Sequence, residues 1–319
     1  MNLKIILFYF IYLLILACSK KLTKKQKKII NISFAINNNY TYKFLIPVIS
    51  LCENGNKDII YHIHILVGEN FEQKNIQFLS GLEKIYFNCF LHFKNLGKDF
   101  QNAYKTFIDI STYYRLKLPI ISPNINRIIY LDSDTIILKD LMEFYTLNFQ
   151  GKYILGKLDI YPNALDKLIY IKNYINAGVL LMNLNGLRKY GYVEKFMDYF
   201  QTHNNKKDLP SHDQTILNYI CHDKIGILPQ KYHMWPYISE NDLVRDNKKL
   251  RIPYNVSEII KDYHDPFIVH FPGGFKNKKK CGNSYCYKKY EEYSTKSNNI
   301  KLFLLSDNIS KSFNFSKIS

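Results

Sequence analysis

The stretch RIIYLDSDTIIL, residues 127–138, places two aspartates one residue apart directly behind an apolar run. In a strand, side chains at positions i and i+2 point to the same side, so Asp132 and Asp134 would project together while Ser133 turns away. A hard divalent cation that holds a polyphosphate is the simplest way to offset the repulsion between them, because Mg²⁺ and Mn²⁺ prefer oxygen ligands. A polar turn after a buried strand would give the same residues, so the pair alone leaves both interpretations open.

The size and composition predict a folded protein with a full hydrophobic core. The chain has 319 residues, of which 47% are hydrophobic and 15% aromatic. Such an apolar content can offset the entropy of folding over most of the length, which excludes a largely disordered chain. The length suits one large α/β domain or two smaller domains.

The charge is strongly positive and unevenly distributed. The formal net charge is +17, from 44 Lys and Arg against 27 Asp and Glu, which favours an anionic partner. Many of the lysines stand in two short segments, KKLTKKQKK at 20–28 and KNKKK at 276–280. This local clustering argues against a general nucleic-acid-binding face, and we expect no nucleic-acid partner; a set of solvated surface lysines is the alternative.

The six cysteines, at positions 18, 52, 89, 221, 281 and 286, show no zinc-binding spacing. Free thiols are expected. A local disulfide between Cys281 and Cys286 is the alternative, and it would need an oxidising compartment.

An apolar run at the amino end, IILFYFIYLLILAC at residues 5–18, is followed at once by the lysine cluster at 20–28. It is shorter than the roughly 20 residues that cross a bilayer. A short anchor, a signal peptide and a lipidated terminus at Cys18 all fit, and all three place the chain at a membrane. Because positive charge tends to stay on the cytoplasmic side, we expect a membrane-associated protein whose main domain is cytoplasmic, with the lysines against anionic headgroups. An exported lipoprotein and a secretory-pathway lumen are the alternatives.

Apolar strands alternate with helical stretches beyond residue 28, which is typical of an α/β fold with a mostly parallel sheet and crossover helices. Strands are predicted at residues 29–36, 61–68, 84–93, 152–159, 224–229 and 266–271, and at the start of 175–191. Helices are predicted at residues 40–51 with an irregularity at Pro47, at 104–119 ending at Pro119, from within 175–191 to about 202, and at 209–220.

Three segments follow from this pattern. Residues 1–28 hold the apolar run and its lysine-rich linker, residues 29–280 form the main domain, and residues 281–319 form a basic, aromatic tail of uncertain order. The IKLFLL stretch at 300–305 in the tail is either a membrane-contacting amphipathic segment or a short surface helix.

Polar side chains gather at the predicted ends of several strands, where functional residues of open α/β sheets collect. Besides the two aspartates these are the asparagines at 37–39, Asp159 and His270. Two carboxylates and one imidazole, completed by phosphate oxygens, suit Mn²⁺ better than Mg²⁺, which prefers shells of oxygen alone. A single histidine after a strand is more often structural, but PGGFK follows His270, and its Gly273 and Lys276 suit close approach to a phosphate.

These residues stand in blocks that resemble the retaining glycosyltransferases of family 8, which include bacterial lipopolysaccharide galactosyl- and glucosyltransferases and glycogenin. The resemblance covers about residues 30–280 and rests on six blocks in the family's order: FAINNNY, STYYRLKLP, RIIYLDSDTII, INAGVLLMNL, HDQTILN and HFPGGFK. It implies a GT-A type fold, in which helices flank a Rossmann-like, mostly parallel mixed sheet. It also implies a metal-dependent enzyme that moves galactose or glucose from a UDP-sugar to a saccharide or glycolipid acceptor, such as lipopolysaccharide, and keeps the donor's α configuration.

The resemblance also implies roles for single residues. The manganese ligands would be Asp132, Asp134 and His270, with Mg²⁺ as the alternative ion. The catalytic residues would be Asp213, which binds the donor sugar, Gln214, which lies near the anomeric carbon, and Asp159, which lies near the sugars. The two aspartates of the metal site would also contact the donor nucleotide, together with Ala35, Asn37, Asn39, Tyr40, Arg115, Ser133, Asn176, Ala177, Gly273 and Lys276.

Two positions depart from the family's pattern. An acidic residue is usual in the opening block where this chain has Asn37 or Asn38, although an asparagine carbonyl can still accept from a base N–H. The last block often ends in Lys-Pro-Trp, whereas here Lys276 is followed by Asn277 and Lys278.

Other interpretations remain open at the level of sequence. Ser211 and Gln214 have the spacing of a helix capping box, which would explain both residues without chemistry. The DSDT segment also resembles the nucleophile loop of haloacid dehalogenase-type phosphatases. The net charge alone would fit a non-enzymatic protein that binds membrane surfaces or nucleic acid.

Overall fold

The structure is a computed structural model. It describes residues 27–104, 109–159, 171, 173–205, 207–249, 254–272 and 282–315, with side chains described through 245 and 306 in the helices that end at 249 and 315. The predictions for the apolar run, for Cys18 and Cys281, and for Gly273 and Lys276 fall outside these ranges.

The strands of the described residues follow the predicted alternation. In chain order they are β1 (Lys28–Ala35), β2 (Ile59–Val67), β3 (Cys89–Asn95), β4 (Arg127–Leu131), β5 (Thr135–Ile137), β6 (Ile154–Leu158), β7 (Ile175–Asn183), β8 (Ile225–Ile227) and β9 (Ile268–His270).

Seven of these strands form one sheet in the order β3-β2-β1-β4-β7-β6-β8, and β5 pairs with β9 in a separate antiparallel ribbon. Strands β3, β2, β1 and β4 are parallel to one another, and β6 is parallel to β8, whereas β7 is antiparallel to both β4 and β6. The first residues of β7 therefore lie at the same edge as the last residues of β4 and β6. The expected mostly parallel, mixed sheet is confirmed.

The α-helices are α1 (Leu45–Asn54), α2 (Gln73–Ser80), α3 (Leu118–Ile121), α4 (Met142–Tyr145), α5 (Leu184–Lys189), α6 (Tyr192–Thr202), α7 (Asp213–Ile220), α8 (Glu240–Lys249), α9 (Val256–His264) and α10 (Ser284–Phe315). Short 3₁₀ helices span Asn38–Tyr40, Gly81–Lys84, Ile110–Lys117, His222–Lys224 and Gln230–Tyr232.

Hydrophobic residues are buried on both faces of the sheet. On one face, Ile32 and Phe34 of β1 pack in a cluster with Val48 of α1. On the other face, Phe196 of α6 and Leu217 of α7 are buried in a second cluster. Burial of both faces explains why the parallel strands read as nearly continuous apolar runs.

Two predicted elements differ in detail. The predicted strand at 84–93 begins only at Cys89, because a 3₁₀ helix occupies the residues up to Lys84. Of the predicted helix at 104–119, residues 110–117 form a 3₁₀ helix that is followed by α3, and Pro119 stands in the first turn of α3 instead of ending a helix. Pro47 likewise lies in the first turn of α1, where proline is tolerated because the N–H there has no helical partner.

The tail was expected to be of uncertain order, and this was wrong for residues 284–315, which form α10. Tyr293 of α10 is buried in the same hydrophobic cluster as α1, and Asn54 Nδ2 donates to its hydroxyl at 2.6 Å. Leu304 lies against Gly81, where an added Cβ would stand 2.6 Å from it. The stretch at 300–305 is therefore part of this helix; Leu302 and Phe303 are exposed. Within the described part of the chain, no helix has the length and apolar character needed to span a membrane.

The expectation of free thiols was wrong for two cysteines. Cys52 of α1 and Cys89 of β3 form a disulfide in the apolar core. Because they stand 37 residues apart in the sequence, no local spacing could have indicated the pair. Cys221 is a free thiol, as expected, and Cys286 is buried.

Candidate active site

Three predicted metal ligands converge at the shared edge of the sheet. One ligand atom from each of Asp132, Asp134 and His270 lies within 4.8 Å of the other two, and we name these three residues the cation cluster. Nε2 of His270 lies 3.1 Å from Oδ1 of Asp134 and 3.7 Å from Oδ2 of Asp132. The strand itself ends at Leu131, so the carboxylates stand in the connection from β4 to β5 and not in a continuous strand.

The connection is held by its own backbone. Asp132 N–H donates to the carbonyl of Gly178 in β7 at 2.8 Å, and Thr135 Oγ1 donates to the carbonyl of Asp132 at 2.8 Å. Ser133 between the aspartates is buried, while both aspartates are partly exposed. Ser133 therefore points away from the two aspartates, as predicted, although these residues do not form a regular strand.

Gly178 makes room for the imidazole of His270. A Cβ built at Gly178 would lie 2.1 Å from Cε1 of His270, closer than any real contact. Any larger residue here would displace the histidine from the cation cluster, which gives the glycine of the INAGVLLMNL block a direct steric reason.

Arg115 links the cation cluster to the start of α7 and is almost completely buried. Its Nη2 donates to Asp132 Oδ1 at 2.8 Å, and its Nε lies 2.9 Å from Asp213 Oδ2. Nη1 donates to the carbonyl of Ala177. Burial alone would lower the pKa of Arg115, but the carboxylates of Asp132 and Asp213 raise it instead. Arg115 is thus a structural centre of the site, and its N–H groups are directed to protein acceptors.

Asp213 is the other buried partner of this ion pair. Thr112 Oγ1 donates to its Oδ1 at 2.6 Å. Burial raises the pKa of Asp213 to about 6, and the charge of Arg115 opposes this shift. The family resemblance assigns Asp213 to the donor sugar, and the structure places it beneath the surface, held by Arg115 and Thr112.

A second group of predicted residues meets beside the cation cluster. Gln214 Nε2 donates to Asp159 Oδ2 at 2.8 Å, and Asn176 Nδ2 reaches the same oxygen at 3.3 Å. The backbone N–H of Ala177 donates to Gln214 Oε1 at 3.0 Å. We name Asp159, Asn176, Ala177 and Gln214 the amide network. Both ends of the Gln214 amide are therefore fixed.

The capping-box interpretation of Ser211 and Gln214 is wrong. The residue before α7 is His212, and its side chain makes no capping hydrogen bond. The Gln214 side chain turns to the amide network instead of back to the helix start. His212 has a φ of 56°, an uncommon conformation for a residue with a side chain, and such strain is often found beside functional residues.

The FAINNNY block forms the turn after β1. Ala35 ends the strand, Asn37 Oδ1 accepts from the N–H of Tyr40 at 3.2 Å, and Asn39 is exposed. Burial, followed by the charges of Asp134, Asp132 and Asp109, raises the pKa of Tyr40. Tyr40 thus lies in the field of the cation cluster, while Asn37 shapes the turn that carries it.

Lys157 in β6 is a residue that the sequence did not single out. Its side chain is fully buried, and its ammonium has no hydrogen-bond partner among the described residues. It lies 4.1 Å from the ring centroid of Trp235. Burial lowers the pKa of Lys157 to about 7, and the nearby carboxylate of Asp159 opposes this shift.

Two further residues that were not predicted are linked to His270, a predicted metal ligand, by a chain of contacts. Nδ1 of His270 lies 2.8 Å from Nε2 of His233, and the indole Nε1–H of Trp235 donates to that same Nε2 at 3.0 Å. All three side chains are buried. Their segment matches no motif, so only the fold could bring them to the site.

The described residues therefore combine an oxygen-rich cation site with a neighbouring set of fixed amide and carboxylate groups. The donor set of two carboxylates and one imidazole fits a divalent ion such as Mn²⁺. Of the predicted site residues, Gly273 and Lys276 lie outside the described ranges, so their contacts with phosphate stay predictions.

Comparisons with known proteins agree with this geometry. A family model described as "Glycosyl transferase family 8" matches residues 31–277. The chain is 27% identical over 256 residues to the "Lipopolysaccharide 1,2-glucosyltransferase" of Escherichia coli, which covers 78% of this chain and 73% of that protein.

Two solved structures show the same fold. The galactosyltransferase LgtC, in complex with donor and acceptor sugar analogs, superimposes with a TM-score of 0.65 at 18% identity, over 83% of this chain and 96% of that chain. The bifunctional glycosyltransferase WbbM gives a TM-score of 0.63 at 16% identity, over 84% of this chain and 50% of that chain. The expected GT-A type architecture is confirmed, and the match decides against the phosphatase and the non-enzymatic alternatives. The chain belongs to glycosyl transferase family 8 and is a glycosyltransferase.

Proposed function

We propose that the protein is a metal-dependent, retaining hexosyltransferase that moves glucose or galactose from a UDP-sugar to a saccharide acceptor of a surface glycan such as lipopolysaccharide. The observation that carries this proposal is the meeting of the cation cluster and the amide network at one edge of the sheet. The first suits a diphosphate-bound cation, and the second suits the hydroxyl groups of a sugar.

The chemistry of the donor set supports a divalent cation. Asp132, Asp134 and His270 offer two oxygens and one nitrogen, a mixture that Mn²⁺ accepts more readily than Mg²⁺. When bound, the ion would neutralise charge on the leaving diphosphate. Arg115 fixes Asp132 in the orientation that this binding needs.

The amide network is suited to holding the donor sugar in place. Gln214 Oε1 and Asp159 Oδ2 already accept hydrogen bonds, which orients both groups and weakens them as nucleophiles. This favours attack by the acceptor on the front face of the sugar, guided by the departing phosphate, over a covalent intermediate on either residue. Both routes would retain the α configuration.

The acceptor and the location are inferred from other features. The Escherichia coli relative is named for lipopolysaccharide, which supports a glycolipid or surface saccharide as acceptor. The apolar run at 5–18 and the lysines at 20–28 support attachment to an anionic membrane surface. The catalytic domain would then be cytoplasmic, where nucleotide sugars are made; the disulfide between Cys52 and Cys89, of a kind that is rare in that compartment, argues against this location.

A direct test measures hydrolysis and transfer of UDP-glucose and UDP-galactose with Mn²⁺, with Mg²⁺ and with a chelator. We expect turnover of one donor that depends on the divalent ion, with product retaining the α anomer by NMR. Turnover that is undiminished by the chelator would refute the metal dependence. Protease added outside intact cells should leave the catalytic domain uncut, and digestion from outside would overturn the proposed location.

A further inference from the structure

The buried contacts behind His270 form a short chain of hydrogen bonds that ends at the cation cluster. Trp235 Nε1 lies 3.0 Å from Nε2 of His233, and the same Nε2 lies 2.8 Å from Nδ1 of His270. His270 then presents its other nitrogen, Nε2, to the carboxylate of Asp134 at 3.1 Å. Which ring nitrogens carry protons decides whether this arrangement can hold a cation.

The indole group settles the first step, because a tryptophan N–H donates and cannot accept. Nε2 of His233 must therefore be the unprotonated nitrogen that receives it. The proton of this neutral imidazole is then on Nδ1, which has no hydrogen-bond partner among the described residues. The opposite tautomer would set two N–H groups against each other at 3.0 Å.

The second step follows from the first. Since Nε2 of His233 is an acceptor, Nδ1 of His270 must be the donor at 2.8 Å, and the proton of His270 stands on Nδ1. In the neutral imidazole, Nε2 of His270 then keeps a lone pair that faces the oxygens of Asp132 and Asp134; in the imidazolium, Nε2 carries a second proton toward Asp134, which a metal ion must displace. In either form the two carboxylates and Nε2 converge on a position for positive charge, which is a proton in the metal-free protein or a metal ion in its place.

The setting of Trp235 keeps its N–H in this direction. Its ring stands nearly perpendicular to that of His233, at 89°, and the ammonium of Lys157 lies over its face at 4.1 Å. Trp235 is buried in a small apolar cluster with Met234 and Ile259. The indole is thus packed on the sides where it could otherwise rotate.

We propose that Trp235 and His233 are positioning residues that fix the tautomer of His270, so that its Nε2 lone pair is presented to a divalent cation held with Asp132 and Asp134. The inference rests on the proposed function for its consequence, but its core statement concerns the metal-free protein. Orientation of a ligating imidazole by a hydrogen bond at its other nitrogen is a general device, and loss of such a partner typically weakens metal binding or activity by about 10- to 100-fold.

The tautomer can be measured without metal or substrate. The full chain, labelled with ¹⁵N-histidine and stripped of metal, should show His270 protonated at Nδ1 by long-range ¹⁵N correlation, with the resonance assigned by loss in His270→Asn. Trp235→Phe keeps a ring but removes the N–H, and His233→Leu removes the acceptor, so both should shift His270 toward the Nε2-protonated form. At a pH at which the ring is neutral, a proton on Nε2 of wild-type His270, or no change in either variant, would overturn the inference.

Metal binding supplies the second measurement. Titration of Mn²⁺ in the presence of UDP, followed by calorimetry, should show binding weakened about 10- to 100-fold in His233→Leu. His233→Asn should bind within a few-fold of wild type, because an amide oxygen can accept from Nδ1–H. Equal affinity in all three proteins, or equal loss in the Leu and Asn variants, would contradict the positioning role.

Tyr232→Phe is the matched control. Tyr232 neighbours His233 in sequence, but its hydroxyl donates to Glu143, outside the chain of hydrogen bonds. It should change neither the tautomer nor the affinity, and thermal unfolding of each variant verifies that it folds. If wild type bound no Mn²⁺ at all, the proposed metal dependence would fail, while the tautomer measured in metal-free protein would still decide the positioning role.

Discussion

The cation cluster and the amide network use the same kinds of side chain but balance charge in opposite ways. In the cation cluster, one potential ligand atom from each of Asp132, Asp134 and His270 lies within 4.8 Å of the other two. In the amide network, the acceptor of Asp159 meets donors from Gln214 and Asn176. The first group gathers two carboxylates, of which Asp132 is paired with Arg115, around a position suited to an added ion, whereas the second joins its carboxylate to donors of the protein itself. Substitutions should therefore distinguish the two regions. A change in the cation cluster should reduce ion-dependent activity, whereas a change in the amide network should disturb the prearranged polar groups that hold the donor sugar.

The largest effect is expected at Arg115, which joins the two regions. Arg115→Met would leave the buried Asp213 and the partly buried Asp132 without their counter-charge and should lower the free energy of unfolding by about 3–5 kcal/mol. Arg188→Met is the matched control, because Arg188 donates only to backbone carbonyls. An equal loss of unfolding free energy in the two variants, measured by urea unfolding, would show that the unpaired carboxylates are not the cause of the destabilisation.

The next effect isolates the cation cluster. Asp134→Asn should lower ion-dependent turnover by more than about 100-fold, because loss of a direct ligand exceeds the loss of an outer partner. The free energy of unfolding without metal should change by less than about 1 kcal/mol, since the substitution removes a repelling charge. Asp198→Asn, at an exposed position on α6, is the control. Retained turnover in Asp134→Asn would refute the assignment of this ligand.

The corresponding change in the amide network is Gln214→Ala. We expect turnover at saturating donor to fall by about 100-fold, as for removal of one preorganised polar group, with a stability loss of about 1 kcal/mol. Gln73→Ala, at the exposed start of α2, should change neither quantity. An activity loss that thermal unfolding fully explains would show that Gln214 is only structural.

The smallest effect concerns Lys157, whose buried ammonium lies over the ring of Trp235 and interacts electrostatically with Asp159 of the amide network. The pKa of this lysine is about 7 in the folded protein and near 10.5 in the unfolded chain. As the pH falls, the unfolded chain therefore takes up this proton at a higher pH than the folded protein does. Stability should fall as the pH drops from about 10.5 to about 7 and then level off. Lys157→Met should remove this slope and add about 2 kcal/mol at pH 7, less than the full shift because a buried ammonium relaxes its surroundings.

Lys195→Met is the control for that measurement. Lys195 also lies over an aromatic ring, that of Tyr192, but it is exposed. Its replacement should leave the pH dependence of urea unfolding unchanged. A slope that persists in Lys157→Met would assign the effect to other groups.

The sequence predicted the cation cluster well because each of its parts has a local signal. Asp132 and Asp134 directly follow an apolar strand, and His270 ends another. The order of the six blocks then indicated which of these strand ends belong together. Asn176 and Ala177 stand at the amino end of their strand, and they reach the same edge only because β7 is antiparallel, which no periodicity shows.

The parts that were missed depend on contacts that are distant in sequence. Arg115 was expected to lie near the donor, but its burial between Asp132 and Asp213 follows from the packing of separate elements. His233 and Trp235 belong to no motif, and their role follows only from the position of His270. The helix at Ser284–Phe315 was missed because its mixed polar and aromatic residues show no clear amphipathic repeat.

The packing of α10 on α1 has a consequence for biosynthesis. Tyr290, Tyr293 and Leu304 of α10 belong to the hydrophobic cluster that also holds residues of β1, β2 and α1. At about 5–20 residues per second, a ribosome needs roughly ten to forty seconds to pass from the end of β3 to the start of α10. During that time the outer side of α1 is uncovered in the nascent chain, so we expect chaperones to hold this half of the protein until translation delivers its last helix.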